Sequence, residues 1–316
     1  MKNISCKNCG GIMTLDASAM TATCRSCGSR YVLDHADTDY YMDFYRQMNS
    51  FLSLSNDDQE RRIKADELWN DADEKLFTAA DGKQISVRYL YNYSGSDADV
   101  YVARRNIIFH FHKNGAVLSE LCRRNISMLD YPSADIRRLS DFFPNVAGGY
   151  ELDDGTYILA VTKDEDEYPL SLFGGLGGRH VAWIISRMEN LCCVLEFSGL
   201  VHPEIDPYNL FINPYTHQAA LYGNWWKVCR NNSLDGEGRI MRTSENLIGL
   251  RNTASSILND PEAPAALSEF IGSTPGIDAY EDFSYWDEML IKAYGERKFI
   301  NMDTDDSRIY GSGNKE

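Results

Sequence analysis

Long apolar runs are missing from this chain of 316 residues. None approaches the roughly 18 to 20 residues that a bilayer-spanning helix needs, so no contact with a membrane is expected. The opening stretch, Met1 to Cys6, lacks an apolar signal core, and the expected localisation is cytoplasmic. Positive charge is scarce as well. Lys and Arg number 31 against 47 Asp and Glu, a net charge of −16, which argues against a general nucleic-acid binder because attraction to phosphate needs a basic surface. Internal repeats and low-complexity tracts are absent. What is present is core-forming material: with 43% hydrophobic and 12% aromatic residues, a chain long enough for about two domains can bury full-sized cores, which excludes bulk disorder.

The eight cysteines are unevenly spread. Cys122, Cys192, Cys193 and Cys229 lie far apart in apolar or mixed surroundings and are expected to be ordinary buried thiols. Cys6, Cys9, Cys24 and Cys27 form two C-x2-C pairs with fourteen residues between them. Two residues between thiolates let one tight turn present both sulfurs to one ion, with Gly10 and Gly28 supplying backbone freedom, so four thiolates predict a closed tetrahedral zinc site. Short strands are expected at 12–15, 22–24 and 31–33. So few apolar residues cannot form a core alone, and metal binding must supply most of the folding free energy. Residues 1–33 resemble a zinc ribbon, with zinc in a structural role.

Residues 34–82 are rich in acids and aromatics. Ile63, Leu68, Trp69, Ala72 and Leu76 recur at roughly helical spacing and predict a helical linker. From residue 83 the period changes: 84–93, 99–103 and 106–112 alternate as three antiparallel strands, 118–129 suits a helix, and 150–161 suits a hairpin around Asp154-Gly155. The run 163–167, one Lys followed by four acids, is expected to be a solvated hinge face. Beyond it the pattern turns helical. Val181, Ile184, Ile185, Met188, Leu191, Cys192 and Leu195 form the broad stripe of a core helix over 179–197, with weaker helices expected at 247–258 and 283–294.

Directly after the long helix stand His202, Glu204 and Asn209, followed by an apolar strand. This segment resembles the catalytic loop of the protein-kinase-like superfamily, H-x-D-x-x-x-x-N, and the order of the lobes agrees with that likeness. The implied fold class is α+β: the ribbon (1–33), the linker (34–82), a β-rich N-lobe (83–163), a helical C-lobe (164–300) and a polar tail (301–316). The resemblance also implies where the chemistry has decayed. The catalytic Asp position holds Glu204, one methylene longer, which displaces the carboxylate from its working place. Asn209 is retained. The D-F-G position falls at or beside Gly223, so one magnesium ligand is missing, and Asn224 is a poor substitute for its charge. The glycine-rich loop shrinks to Gly95 and its neighbours, with Asp97 and Asp99 placed to repel phosphate. His110 stands nearest the strand Lys position, with His112 and Lys113 as alternatives if the register slips, and Glu120 is the matching helix Glu. His202 is expected to brace the core, and Trp225 and Trp226 to be core or interface aromatics.

The combined losses point to a pseudokinase that works through contacts with a protein partner, with Mg-ATP doubtful as a cofactor. A second reading is an atypical ATP-dependent phosphotransferase using Glu204 and Asn209. A third makes the kinase-like part a platform for the ribbon, the only place where nucleic acid would enter. Finally, Arg297-Lys298 with Phe299, Ile300 and Met302 is expected to form a partner-docking edge before the tail.

Overall fold

The computed structural model describes residues 6, 8–9, 13–16, 21–32, 46, 48, 50–235 and 238–313. Two compact units emerge, 1–66 and 67–316. In the first, β1 (Met13–Asp16), β2 (Thr21–Cys24) and β3 (Arg30–Val32) form an antiparallel sheet in that order. Among the described residues of this sheet region only Cys6, Ala22 and Cys24 are buried apolar residues, too few for a core of their own. Gly10 and the expected strand ends Ile12 and Leu33 fall outside the described residues, as does the linker over 34–45. Helix α1 (Asn56–Asn70) follows, its entry fixed by Ser55, whose hydroxyl accepts from the Asp58 backbone at 3.2 Å and donates to the Asp58 carboxylate at 2.7 Å.

The helix stops earlier than the spacing of Ala72 and Leu76 predicts. Residues 73–78 form β4 (Asp73–Thr78), the edge strand of a six-stranded antiparallel sheet. Leu76 is 58% exposed while Phe77 is buried, the alternation of a strand rather than a helical stripe. The sheet continues through β5 (Gln84–Ser94), β6 (Ala98–Ala103), β7 (Asn106–Phe111), β8 (Asn145–Glu151) and β9 (Tyr157–Thr162), in the order β4-β5-β6-β7-β9-β8. Period-2 alternation separates its faces. Ile107, Phe109 and Phe111 of β7 join Val100, Val102, Leu159 and Val161 in the main core. Ile108 joins Phe77, Tyr101 and Ile158 in a smaller cluster on the other face. Helix α2 (Gly115–Ser127) crosses between β7 and β8 and buries Ser119, Cys122 and Asn125.

The helical lobe is built on α3 (Gly178–Ser198), whose Val181, Ile184, Ile185 and Leu195 are fully buried. Gly199 ends it at φ 63°, the left-handed cap that glycine adopts without strain. Short strands β10 (Tyr168–Pro169), β12 (Leu210–Asn213) and β13 (Gln218–Leu221) form one small sheet, and β11 (Leu200–Val201) and β14 (Cys229–Arg230) another. Three helices close the lobe: α4 (Ser244–Ile257), α5 (Ala265–Gly272), which the pattern did not suggest, and α6 (Ala279–Tyr294).

Two expectations fail for one reason, that polar residues were read as solvated where the fold covers them. The stretch expected to be a polar tail contains a helix that packs into the fold: residues 306–313 form α7 (Asp306–Gly313), with Ile309 and Tyr310 each about 3% exposed. Asp306 accepts from Trp69 Nε1 at 3.2 Å and from the Tyr168 hydroxyl at 2.7 Å. The basic cluster keeps Arg297, Lys298 and Ile300 exposed, with Arg297 paired to Asp287 and Phe299 packed on Arg187 and His217. The hinge run is likewise not uniformly solvated. Lys163 and Glu167 are each 6% exposed, and the Lys163 ammonium donates to the carbonyls of Arg104 and Asp164 at 2.9 Å.

Candidate functional site

Two clusters carry chemistry. In the ribbon, the sulfurs of Cys6, Cys9, Cys24 and Cys27 all lie within 4.8 Å of one another. Cys6 and Cys27 are 3.6 Å apart, and Cys9 and Cys24 3.5 Å. A tetrahedral ion at about 2.3 Å from each sulfur spaces its ligands roughly 3.8 Å apart, so the four thiols fit a zinc ion. Backbone N–H groups of Asn8 and Ser26 donate to Cys6 and Cys24 at 3.4 Å, as expected of turns that prepare thiolates. A hydrogen bond from the Tyr31 hydroxyl, 3.3 Å from Cys6, is the main reason its thiol drops to about 6. Ser29 does the same for Cys27, whose thiol is also held below its ordinary range. Three of the other four cysteines contrast with these. Burial pushes Cys122 and Cys193 up to about 12 and Cys192 well above its ordinary value, so they stay protonated and inert.

The second cluster lies where the hairpin between β5 and β6 meets the loop after α3. The hairpin tip is tight, closed by Gly95 N–H donating to the Ala98 carbonyl at 2.8 Å. In the loop, His202 is buried and neutral. Its Nε2 donates to the Gly223 carbonyl at 2.8 Å while its Nδ1 accepts from the Glu204 backbone at 3.3 Å. Burial drives its imidazole down to about 4. Its own N–H donates to Asn246 Oδ1 at 2.8 Å, and Asn246 Nδ2 donates to the Leu200 carbonyl at 2.9 Å, so α4 clamps the loop from below.

Asn209 is 3% exposed. Its amide donates to Asp206 Oδ2 at 2.8 Å and to the Glu204 carbonyl at 3.1 Å, and its Oδ1 faces Gly223. A Cβ at Gly223 would stand 1.9 Å from that oxygen and 2.9 Å from the Asn209 Cα. The loop is therefore packed for glycine, with no room for an aspartate. Glu204 is spoken for too: its Oε1 lies 2.6 Å from Lys227 Nζ, and its Oε2 accepts from Asn224. Lys227 reaches upward as well, 3.1 Å from Asp97 Oδ2 and 3.1 Å from Ser96 Oγ. Beside it, Trp226 lies edge-on to Phe109 and Phe111, with ring centroids 5.2 and 4.9 Å away, and donates from Nε1 to Asp97 at 3.2 Å. Burial opposes ionisation of Asp97, but the bonds from Trp226 and Lys227 outweigh it and hold its carboxyl below the usual range. Burial also opposes the charge on Lys227, and its carboxylate partners again prevail and raise it. At the other end of the cleft the Tyr93 hydroxyl donates to the Tyr208 carbonyl at 2.9 Å, the rings 5.4 Å apart.

The expected residues are thus only partly brought together. Glu204, Asn209 and Gly223 meet, and Gly95 sits at the hairpin tip above them. His110 does not join them. It points from the outer face of β7, 5.1 Å from the Phe77 ring, and pairs with Thr156 Oγ1 at 2.9 Å. Glu120 is exposed on α2. A one-residue shift moves a strand side chain to the opposite face, and the inward positions here are Phe109 and Phe111. His112, the alternative, pairs with Asp99 at 3.2 Å. The spacing also missed Lys227, Trp226, Tyr93 and Asn246. One signal for Lys227 was legible, a lone cation beside two tryptophans in an acidic chain. The Asn209 amide N–H groups and the Glu204 carboxylate are engaged by protein contacts, and the Asn209 side chain fills the space beside Gly223.

No protein-family model matches the sequence, and no curated protein matches it. Among solved structures the chain is similar to vaccinia related kinase 3, with a TM-score of 0.50 and 12% identity over 69% of this chain and 90% of that one. It is also similar to a Toxoplasma gondii rhoptry antigen kinase domain (TM-score 0.47, 9% identity, 75% and 92% covered) and to the ROP18 kinase domain solved with AMP-PNP and sucrose (0.44, 14%, 78% and 93%). At such identities the likeness concerns the fold alone. The sheet lobe and the helical lobe together have the fold of a protein kinase domain.

Proposed function

We propose that the chain is a pseudokinase: a kinase-like scaffold whose nucleotide cleft is occupied by its own side chains, which acts through contacts with a protein partner and carries a structural zinc ion on Cys6, Cys9, Cys24 and Cys27. The observation that carries this reading is the bridge formed by Lys227 between Asp97 of the hairpin tip and Glu204 of the loop, at 3.1 and 2.6 Å. Phosphoryl transfer needs a metal-bound nucleotide between those two elements and a free carboxylate to receive the substrate proton. Here a lysine and the Trp226 ring stand in that space. Three further features agree: the packed Gly223, the outward His110, and inward phenylalanines on β7 where a phosphate-binding cation would stand.

The test is calorimetry and thermal melting with Mg-ATP. The expected result is no saturable heat and no shift in the melting midpoint, because a ligand that binds only the folded state raises its stability. Micromolar, magnesium-dependent binding would overturn the reading. Radiolabel transfer from ATP that is lost in Glu204→Gln would instead establish the phosphotransferase. Lys227 is the feature that favours that second reading, since a cation between hairpin tip and loop could pair with phosphate once released from Asp97 and Glu204.

A further inference from the structure

Beside the hinge lies a cavity of about 850 Å³. Its walls come from both lobes: the end of α2, the segment leading into β8, the hinge at Lys163 to Glu167, and the turn between β12 and β13. That volume falls within the range of about 300 to 1,000 Å³ typical of small-molecule sites. Several of its polar groups are buried and perturbed. Burial lowers Lys163 to about 8 and raises Glu167, a pairing that tends to mark functional pockets.

The lining favours one sign of ligand. Lys163 is the only cation among the lining residues, and two of its N–H groups are already given to carbonyls. Three carboxylates face it: Asp141, Asp164 and Glu167. Glu167 is 6% exposed and uses Oε2 for the Asp164 N–H and the Tyr222 hydroxyl, both at 2.8 Å. Its Oε1 accepts no hydrogen bond among the described residues. The Asp141 carboxylate and the Gln218 amide also line the cavity. An anion would meet three like charges here, whereas an ammonium group would find the Glu167 Oε1 acceptor, the lining carboxylates and the aromatic rings of Tyr131 and Phe142, whose faces attract a cation.

We propose that this cavity binds a small organic ammonium compound, of polyamine or amino-sugar type, held between the two lobes. Its occupancy would also touch Tyr222, the residue directly before Gly223, so the same ligand would stiffen the loop beneath the closed cleft. The proposal does not depend on whether that cleft takes ATP.

The experiment is calorimetry of the full chain at low salt with spermidine, with glucosamine, and with glucose as the neutral control. Saturable heat is expected for at least one amine and none for glucose, and which amine binds distinguishes the two sources. Asp141→Asn should weaken binding about fivefold or more, since a charge-assisted bond is lost. Thr216→Trp, at an exposed lining position, should fill the cavity and abolish binding. Asp135→Asn, on an exposed side chain outside the cavity, should change nothing. Circular dichroism checks that each variant folds, and if Thr216→Trp does not, Asp141→Asn still decides. Heats equal to those of glucose would overturn the proposal. So would affinities that are equal in wild type and all variants, the signature of diffuse attraction to an acidic surface.

Discussion

Gly223 holds more of the molecule in place than its size suggests. Its carbonyl accepts a hydrogen bond from His202 Nε2 while its missing side chain leaves space for the Asn209 amide. Restoring the acid found in working kinases is therefore expected to harm rather than repair. Gly223→Asp should cost about 1 to 3 kcal/mol through overpacking, read as a lower urea midpoint, with no gain of Mg-ATP binding. His202 makes a second prediction. Its folded imidazole titrates near 4 and its unfolded one near 6.5, so between those values the unfolded chain binds more protons and stability falls as pH drops. The loss is on the order of 3 kcal/mol from this residue once pH is below 4. Equilibrium unfolding measured from pH 7 to pH 4 should show it, and His202→Gln, uncharged at every pH, should flatten that limb.

Among the elements, α7 departs most from its sequence appearance. Eight residues near the end of a polar stretch bury Ile309 and Tyr310 and supply Asp306 to Trp69 and Tyr168. Tyr310 packs edge-on against both of those rings, at 5.9 and 5.7 Å. Its hydroxyl is buried and has no hydrogen-bond partner among the described residues. Tyr310→Ala is expected to cost about 3 kcal/mol, whereas Tyr310→Phe should leave stability unchanged or raise it, because the unpaired hydroxyl goes. Chemical denaturation of the two variants side by side checks the contrast. A large loss in Tyr310→Phe would mean that the hydroxyl is bonded after all.

At the scale of the whole molecule, the two units rest on different physics. The unit 67–316 has a core reaching from β7 through α3 to α6, while the ribbon has almost none. Removing metal with a strong chelator should therefore erase the ribbon's order and leave the main melting transition cooperative, its midpoint moving by less than about 2 °C, as for independent sites. Protein purified without chelator should carry one zinc per chain by elemental analysis, and Cys24→Ser should lose it. A main transition that collapsed on chelation would show that the larger unit leans on the metal.

Much of this was legible without coordinates. The two C-x2-C pairs specify a four-sulfur cluster because the spacing is local and the ion does the rest. Alternation located β5, β6 and β7, and the apolar stripe located α3, because periodicity is imposed by backbone geometry. The loop residues His202, Glu204 and Asn209 stood out because a short motif keeps its members adjacent. The tertiary structure decided what depends on contacts between distant segments. Which face of β7 turns inward set His110 against Phe77 and away from Glu120, a matter of register that a run of six apolar and aromatic residues leaves open. Lys227 meets Asp97 across 130 residues, and Asp306 meets Trp69 across 237. Lys163, Glu167 and Asp306 look solvated in a sequence because charge favours water, and they are buried here because partners brought by other elements satisfy them.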